Sequence, residues 1–282
     1  MELSVSLRAE LQTNVRAALD EDLGSGDLTA KLSPVGHRSR GTVICRQTAV
    51  IAGTAWFDAC FHALDHASHI RWHVADSEVV RAGQALCEIE ADTRALLSAE
   101  RAALNFLQLL SGTATTTRQY VDAVAGTRAQ IVDTRKTVPG LRLAQKYAVR
   151  CGGGTNHRLG LYDGILIKEN HIIAAGSIAA AMKTANAIAG ENVFIQIEVE
   201  NLLQLNEALA SGAKLILLDN MDLEQMAEAV AITAGRARLE ASGGVNLNTV
   251  RAIAETGVDR ISIGNLTKDI RAVDLSLRHH ED

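Results

Sequence analysis

Residues 133 to 158 read DTRKTVPGLRLAQKYAVRCGGGTNHR. The stretch sets Arg135, Lys136, Arg142, Lys146, Arg150, His157 and Arg158 against one acid, Asp133, in a chain whose formal net charge is −5. Such a local excess of cations points to an anionic ligand. Arginine grips carboxylate and phosphate through paired N–H donors, and lysine adds a compact point charge. Arg135, Lys136, Arg158 and the later Lys168 could neutralise several negative charges. Three glycine-rich steps, CGGGTN, SGGVN and SIGN, would let backbone N–H groups approach phosphate oxygens. Glu198 and Asp219 would be odd neighbours for phosphate unless a divalent cation or a sugar hydroxyl lay between. The pattern fits a phosphorylated sugar plus a second, carboxylate-bearing molecule. The blander readings sit beside it. Arg142, Lys146 and Arg150 recur every four residues after Pro139-Gly140, as solvated cations on a helix side would. His157 taken alone reads as a structural histidine.

These residues need a scaffold that gathers them. From about residue 128, apolar runs QIVDTR, GILIKEN, VFIQIEVE, AKLILLDN, ARLEASGG and DRISIGN alternate with helical patterns. Continuous apolar strands alternating with helices predict parallel strands in an α/β barrel, here shortened or open. Each run stops at a polar or glycine-rich step: Asp133-Thr134-Arg135, Lys168-Glu169-Asn170, Glu198, Asp219-Asn220, Glu240-Ala241-Ser242-Gly243-Gly244 and Gly264-Asn265. In a β/α barrel the C-terminal strand ends share one mouth, where active sites form, with phosphate sites after the late strands.

The first hundred residues have a different rhythm. LRAELQTNVRAALDEDL places Leu7, Leu11, Val15 and Leu19 on one helix face. GTVICRQTAVIAG, HIRWHVADSEVV and QALCEIEAD read as short strands, and SAERAALNFLQLLSG as a buried helix capped at Ser98. The segment from Asp76 to Glu100 has the cadence of a biotinyl or lipoyl carrier but no lysine at its hairpin tip to carry the cofactor. Cys45, Cys60, Cys87 and Cys151 are widely spaced, which argues against a zinc site or disulfide framework and for a reducing, cytoplasmic setting. No stretch reads as a signal peptide or membrane span. Nucleic acid is disfavoured by the acidic balance and by aromatics at only 3%, too few for stacking platforms.

The run DTRKTVPGLRLAQKYAVRCGGGTNHRLGLYDGILIKENH resembles the signature region of the quinolinate phosphoribosyltransferases. EDLGSGDLT, ERAALNFLQLLSGTAT, IEVEN, LLDNM, EASGGVN and ISIGNLT match in order, nearly end to end. The resemblance implies an α/β fold: an N-terminal α/β sandwich domain (1–110, joined by a C-terminal strand at 271–282) and an open barrel (111–270). It implies transfer of phosphoribosyl from 5-phosphoribosyl-1-pyrophosphate to quinolinate with magnesium, releasing pyrophosphate and carbon dioxide and leaving nicotinate mononucleotide. By the same resemblance Thr134, Arg135, His157 and Arg158 bind quinolinate, with Lys136 and Lys168 near its carboxylates and the pyrophosphate. Glu198 and Asp219 lie at the ribose and magnesium, and Lys136, Glu198 and Asp219 carry the catalysis. Ser242, Gly243, Gly244, Ile263, Gly264 and Asn265 cradle the 5-phosphate. Arg101 reaches the site of a second subunit, which implies a homodimer. Asn265 stands where the pattern has a small residue, so a side-chain role for it is in question. The nearest rivals are a relative acting on another ring, such as nicotinate, the molybdenum-transport homologue, and a binding protein that has lost the chemistry. The rejected Rossmann-like phosphoribosyltransferases would need paired acids followed by a TGGT-like loop, and KLILLDNMDLE has neither.

Overall fold

The computed structural model describes residues 3–280. In chain order the elements are α1 (Val5–Leu23), β1 (Arg38–Cys45), β2 (Ala49–Val50), α2 (Thr54–Leu64), β3 (His69–Trp72), β4 (Val79–Val80), β5 (Ala85–Asp92) and α3 (Thr93–Ala123). There follow β6 (Gln130–Val132), α4 (Arg142–Cys151), β7 (Gly164–Ile167), α5 (Glu169–Ala175), α6 (Ile178–Ile188), β8 (Phe194–Val199), α7 (Leu202–Ala210) and β9 (Leu215–Asp219). The last are α8 (Leu223–Thr233), β10 (Arg238–Ser242), α9 (Val250–Glu255), β11 (Arg260–Ser262), α10 (Asn265–Lys268) and β12 (Leu275–His279). They form two compact units, residues 1–118, 137–153 and 267–282 in one, and 119–136 and 154–266 in the other.

The first unit holds an antiparallel sheet in the order β12-β1-β5-β3 and a small β2-β4 pair. The tail forms the expected strand: β12 pairs with β1 from Gly41↔His279 to Cys45↔Leu275. Its alternation buries Val273 and Leu275. The core of this unit gathers Trp56, Phe57, Phe61, Leu86, Ile89, Leu96, Leu107 and Leu110. The four cysteines are free and buried, and burial pushes the Cys60 thiol up to about 12.

Three expectations need correcting here. The long helix starts at Thr93 rather than near Ser98, because Asp92 Oδ1 accepts the N–H groups of Arg94 and Ala95 and so fills the cap. Ser98 lies inside the helix, its hydroxyl donating to Asp27 Oδ2 at 2.8 Å. Asp27 also takes the N–H groups of Thr29 and Ala30, so EDLGSGDLT is a structural corner in this unit. The boundary between units falls within α3 after Arg118, and 137–153 groups with the first unit. Finally, α4 is not a solvated cation face. Arg150 is exposed, but Lys146 is 1% exposed and Ala144 to Val149 are all buried. Gly152 ends that helix because a Cβ there would sit 2.5 Å from Ala114 O.

The second unit is a six-stranded parallel sheet in the order β6-β11-β10-β9-β8-β7. The six strands are those expected from the apolar runs. Successive strands neighbour one another from β7 to β11, and the first strand, β6, pairs with the last through Gln130↔Arg260 to Ser262↔Val132. A sheet that brings its first strand beside its last is a barrel left open at one seam, here between β6 and β7. Thr155 covers part of β6 by a parallel bridge to Val132. The core is aliphatic: Ile197, Val199, Ile216, Leu218, Leu239 and Ile261 are essentially inaccessible.

Candidate active site

Because the six strands are parallel, their C-terminal ends lie on one rim. Side chains alternate along a strand, so each end presents its polar residue on a fixed face. β8 contributes Glu198, β9 ends in Asp219 and β10 in Ser242, which is level with Asp219 in the ladder. β6 leads into Asp133-Thr134-Arg135-Lys136, and β7 into Lys168.

Lys168 Nζ donates to Glu198 Oε2 at 2.8 Å. Burial, then repulsion from Glu198, raise the Asp219 carboxyl above its ordinary value, while Lys168, the Asn220 amide and Lys136 pull it back. Lys136, Lys168, Glu198 and Asp219 therefore share one electrostatic neighbourhood. Two carboxylates that repel each other at the edge of a cleft fit a hard divalent cation, which binds oxygen donors and keeps room for phosphate ligands. Among the described residues no group of three or more His, Cys, Asp or Glu forms a ready metal cage.

The opposite part of the rim is cationic. Burial, then the neighbouring Arg135, lower the Arg158 guanidinium from its ordinary value, and Asp163 opposes this. Arg158 Nη1 donates to Gly164 O at 3.0 Å. Arg135 Nε is buried without a hydrogen-bond partner. An orphaned, buried guanidinium N–H beside a second guanidinium favours an anion, since that donor is already out of water and the neighbouring charges repel. Asp163 shapes the adjoining loop by accepting the N–H groups of Leu159 and Gly160.

After β10, Gly243 and Gly244 have φ of +108° and +59°. A Cβ on Gly243 would collide with the Asn220 amide oxygen, so glycine is required there. Asn220 is itself left-handed at φ +53°, its N–H held by Ser242 O and its amide donating to Asp219 Oδ2 at 2.9 Å. Ile263 N donates to Val132 O, which leaves it engaged in the sheet; Gly264 and Asn265 follow at the start of α10.

His157 departs from a simple ligand role. It is 9% exposed, its Nε2 meets Gln196 Oε1 at 2.7 Å, and its Nδ1 accepts the N–H of Arg158 at 2.7 Å. Arg101 belongs to the first unit, exposed on α3 and lining a cavity of about 490 Å³ with Glu10, Glu21, Asp22 and Asn105.

Three polar residues are buried beneath the rim; Asp133 and Glu240 belong to strand-end steps visible in the sequence, and Gln196 does not. Asp133, fully buried, accepts the His157 N–H at 2.8 Å and the Asn156 amide at 2.6 Å. Gln196 and Glu240 are fully buried as well. Each of the latter two stands two residues before a rim residue, Glu198 or Ser242, inside an apolar run. A polar residue at that spacing is the signal that would have found Gln196.

A family model described as quinolinate phosphoribosyl transferase, C-terminal domain, matches residues 113–278, and its N-terminal counterpart matches 27–111. The chain belongs to the quinolinate phosphoribosyltransferase family. It is 44% identical over 273 residues to the nicotinate-nucleotide pyrophosphorylase (carboxylating) of Mycobacterium leprae, covering 93% of this chain and 95% of that one. It is 38% identical to the mitochondrial quinolinate phosphoribosyltransferase (decarboxylating) 2a of Nicotiana tabacum, covering 95% of this chain and 82% of the relative. A solved nicotinate-nucleotide pyrophosphorylase from Francisella tularensis superposes with a TM-score of 0.94 at 43% identity, covering 96% of each chain. Within this phosphoribosyltransferase the rim of the six-stranded unit is where the family signature and the orphaned Arg135 N–H coincide.

Proposed function

We propose that the strand-end rim transfers phosphoribosyl from 5-phosphoribosyl-1-pyrophosphate to quinolinate, with loss of carbon dioxide, to give nicotinate mononucleotide and pyrophosphate. The observation that carries the residue assignment is the buried, unpartnered Arg135 Nε beside Arg158. Two adjacent guanidiniums match a dicarboxylate. Lys136 and Lys168 supply charge toward the pyrophosphate.

The ring nitrogen of quinolinate gives its lone pair to C1 of the ribose as the C1–O bond breaks, its electrons leaving with pyrophosphate. Positive charge gathers on C1 in between, and Glu198 and Asp219 stabilise it from a partly dry rim. The ring nitrogen then carries a positive charge. That charge stabilises the carbanion left on the adjacent ring carbon when its carboxylate departs as carbon dioxide, and solvent supplies the proton that takes the carboxylate's place. No dedicated base is needed, so orientation carries much of the rate. Thr134 and His157 support the dicarboxylate end. Ser242, Gly243, Gly244, Ile263, Gly264 and Asn265 hold the 5-phosphate, with the left-handed glycines supplying close backbone approach. Magnesium, held by Glu198 and Asp219, would neutralise charge on the pyrophosphate. The enzyme works as a homodimer, with Arg101 of one subunit completing the site of the other. Four unpaired cysteines support a cytoplasmic setting.

The test supplies protein, magnesium and the phosphoribosyl donor with quinolinate or nicotinate in parallel, following carbon dioxide and mononucleotide. Turnover with quinolinate alone is expected. Turnover with nicotinate would overturn the substrate assignment.

A further inference from the structure

We infer that Glu240 is a positioning residue for the dicarboxylate end of the site, acting through His157. This rests on the reading that Arg135 and Arg158 bind that end. Glu240 lies in the middle of β10 and is fully buried, with neither carboxylate oxygen in a hydrogen bond. Its charged neighbours are Arg260 Nε at 3.5 Å and His157 Nε2 at 3.8 Å. Arg260 Nε and the amide nitrogen of the fully buried Gln196 also lack partners. A buried, poorly satisfied carboxylate is unfavourable for folding, and its ladder neighbour on β9 is the apolar Leu217. A function at this position accounts for it better than packing does.

The function is written in the two ring nitrogens of His157. Nδ1 accepts the Arg158 N–H, so it must carry a lone pair, and the proton belongs on Nε2. Nε2–H points at Gln196 Oε1, and the Glu240 carboxylate beyond it favours a proton at that nitrogen. The ring is held edge-on to Phe194, centroids 5.5 Å apart, and the His157 peptide N–H is held by Asp133. One tautomer therefore pins the backbone from which the Arg158 guanidinium extends. An outer partner that selects the tautomer and orientation of a histidine is a general device of sites that need an accurately placed group.

Glu240→Gln keeps the shape and removes the charge. The expected result is a rise of roughly tenfold in KM for quinolinate, with KM for the phosphoribosyl donor changed by less than about twofold. The ¹⁵N shifts of His157 should move from a single Nε2–H tautomer toward a mixture, and Glu240→Asp should recover part of both effects. A normal quinolinate KM with an unchanged tautomer would overturn the inference, as would parallel loss of both KM values and of thermal stability. If the variant does not fold, the wild-type spectrum decides: a proton on Nδ1 of His157 contradicts the proposal outright. Arg158→Ala separates the underlying reading, because a normal quinolinate KM there would sink the site assignment while leaving the tautomer result to stand or fall alone.

Discussion

Arg135 combines a buried, unpartnered N–H with a like-charged neighbour, a state that an anion would relieve on both counts. Replacing it with Ala removes the strain and the ligand contact together. Turnover should fall by roughly a hundredfold or more while the far-ultraviolet circular dichroism stays unchanged. Near-normal activity would remove Arg135 from the site. This residue was legible in the sequence, as were Lys136, Lys168, Glu198 and Asp219, because each interrupts an apolar strand at its end. Gln196 was not, since a single polar residue within FIQIEV looks like noise in a hydrophobic run, and Glu240 was legible only as part of a polar strand end. Lys146 was misread for the opposite reason. Its four-residue spacing from Arg142 and Arg150 suggested a solvated stripe, yet tertiary packing buries it on a helix enclosed almost all round.

At the scale of elements, the strands of the second unit were predictable because parallel strands covered on both faces read as uninterrupted apolar runs. Helix starts were less so, as Ser98 shows: a good capping residue lost to Asp92, which stands directly at the end of β5. Another element junction has a consequence for stability. Asp58 on α2 accepts the Trp72 indole N–H at 2.8 Å and so ties that helix to the end of β3. Burial, the dominant cause, pushes its carboxyl up to about 6. The folded state then binds more protons than the unfolded one between about pH 4 and 6, so stability falls as pH rises through that window. Asp58→Asn retains an acceptor for Trp72 and removes the charge. Its melting temperature should exceed that of the wild type at pH 8, by an amount worth about 1–3 kcal/mol, and the difference should vanish near pH 4. An equal or lower melting temperature at pH 8 would contradict the buried-charge reading.

At the scale of the whole molecule, the proposed dimer makes a quantitative claim. If every site takes Arg135 from its own subunit and Arg101 from the partner, two inactive variants should rescue each other. Co-refolding Arg101→Ala with Arg135→Ala in equal amounts should restore about a quarter of wild-type activity, since half the dimers are mixed and each has one intact site. No recovery would mean that Arg101 does not act across an interface. The topology also bears on how the protein is made. β12 completes the first sheet against β1, and β11 pairs with β6 to complete the second. As the polypeptide emerges from the ribosome, β1 and β6 must each wait for a neighbour that lies far downstream. Pairings across such long separations close slowly and leave strand edges open meanwhile. Synthesis should therefore pass through a chaperone-dependent stage, before β11 and β12 have emerged, in which neither sheet is complete.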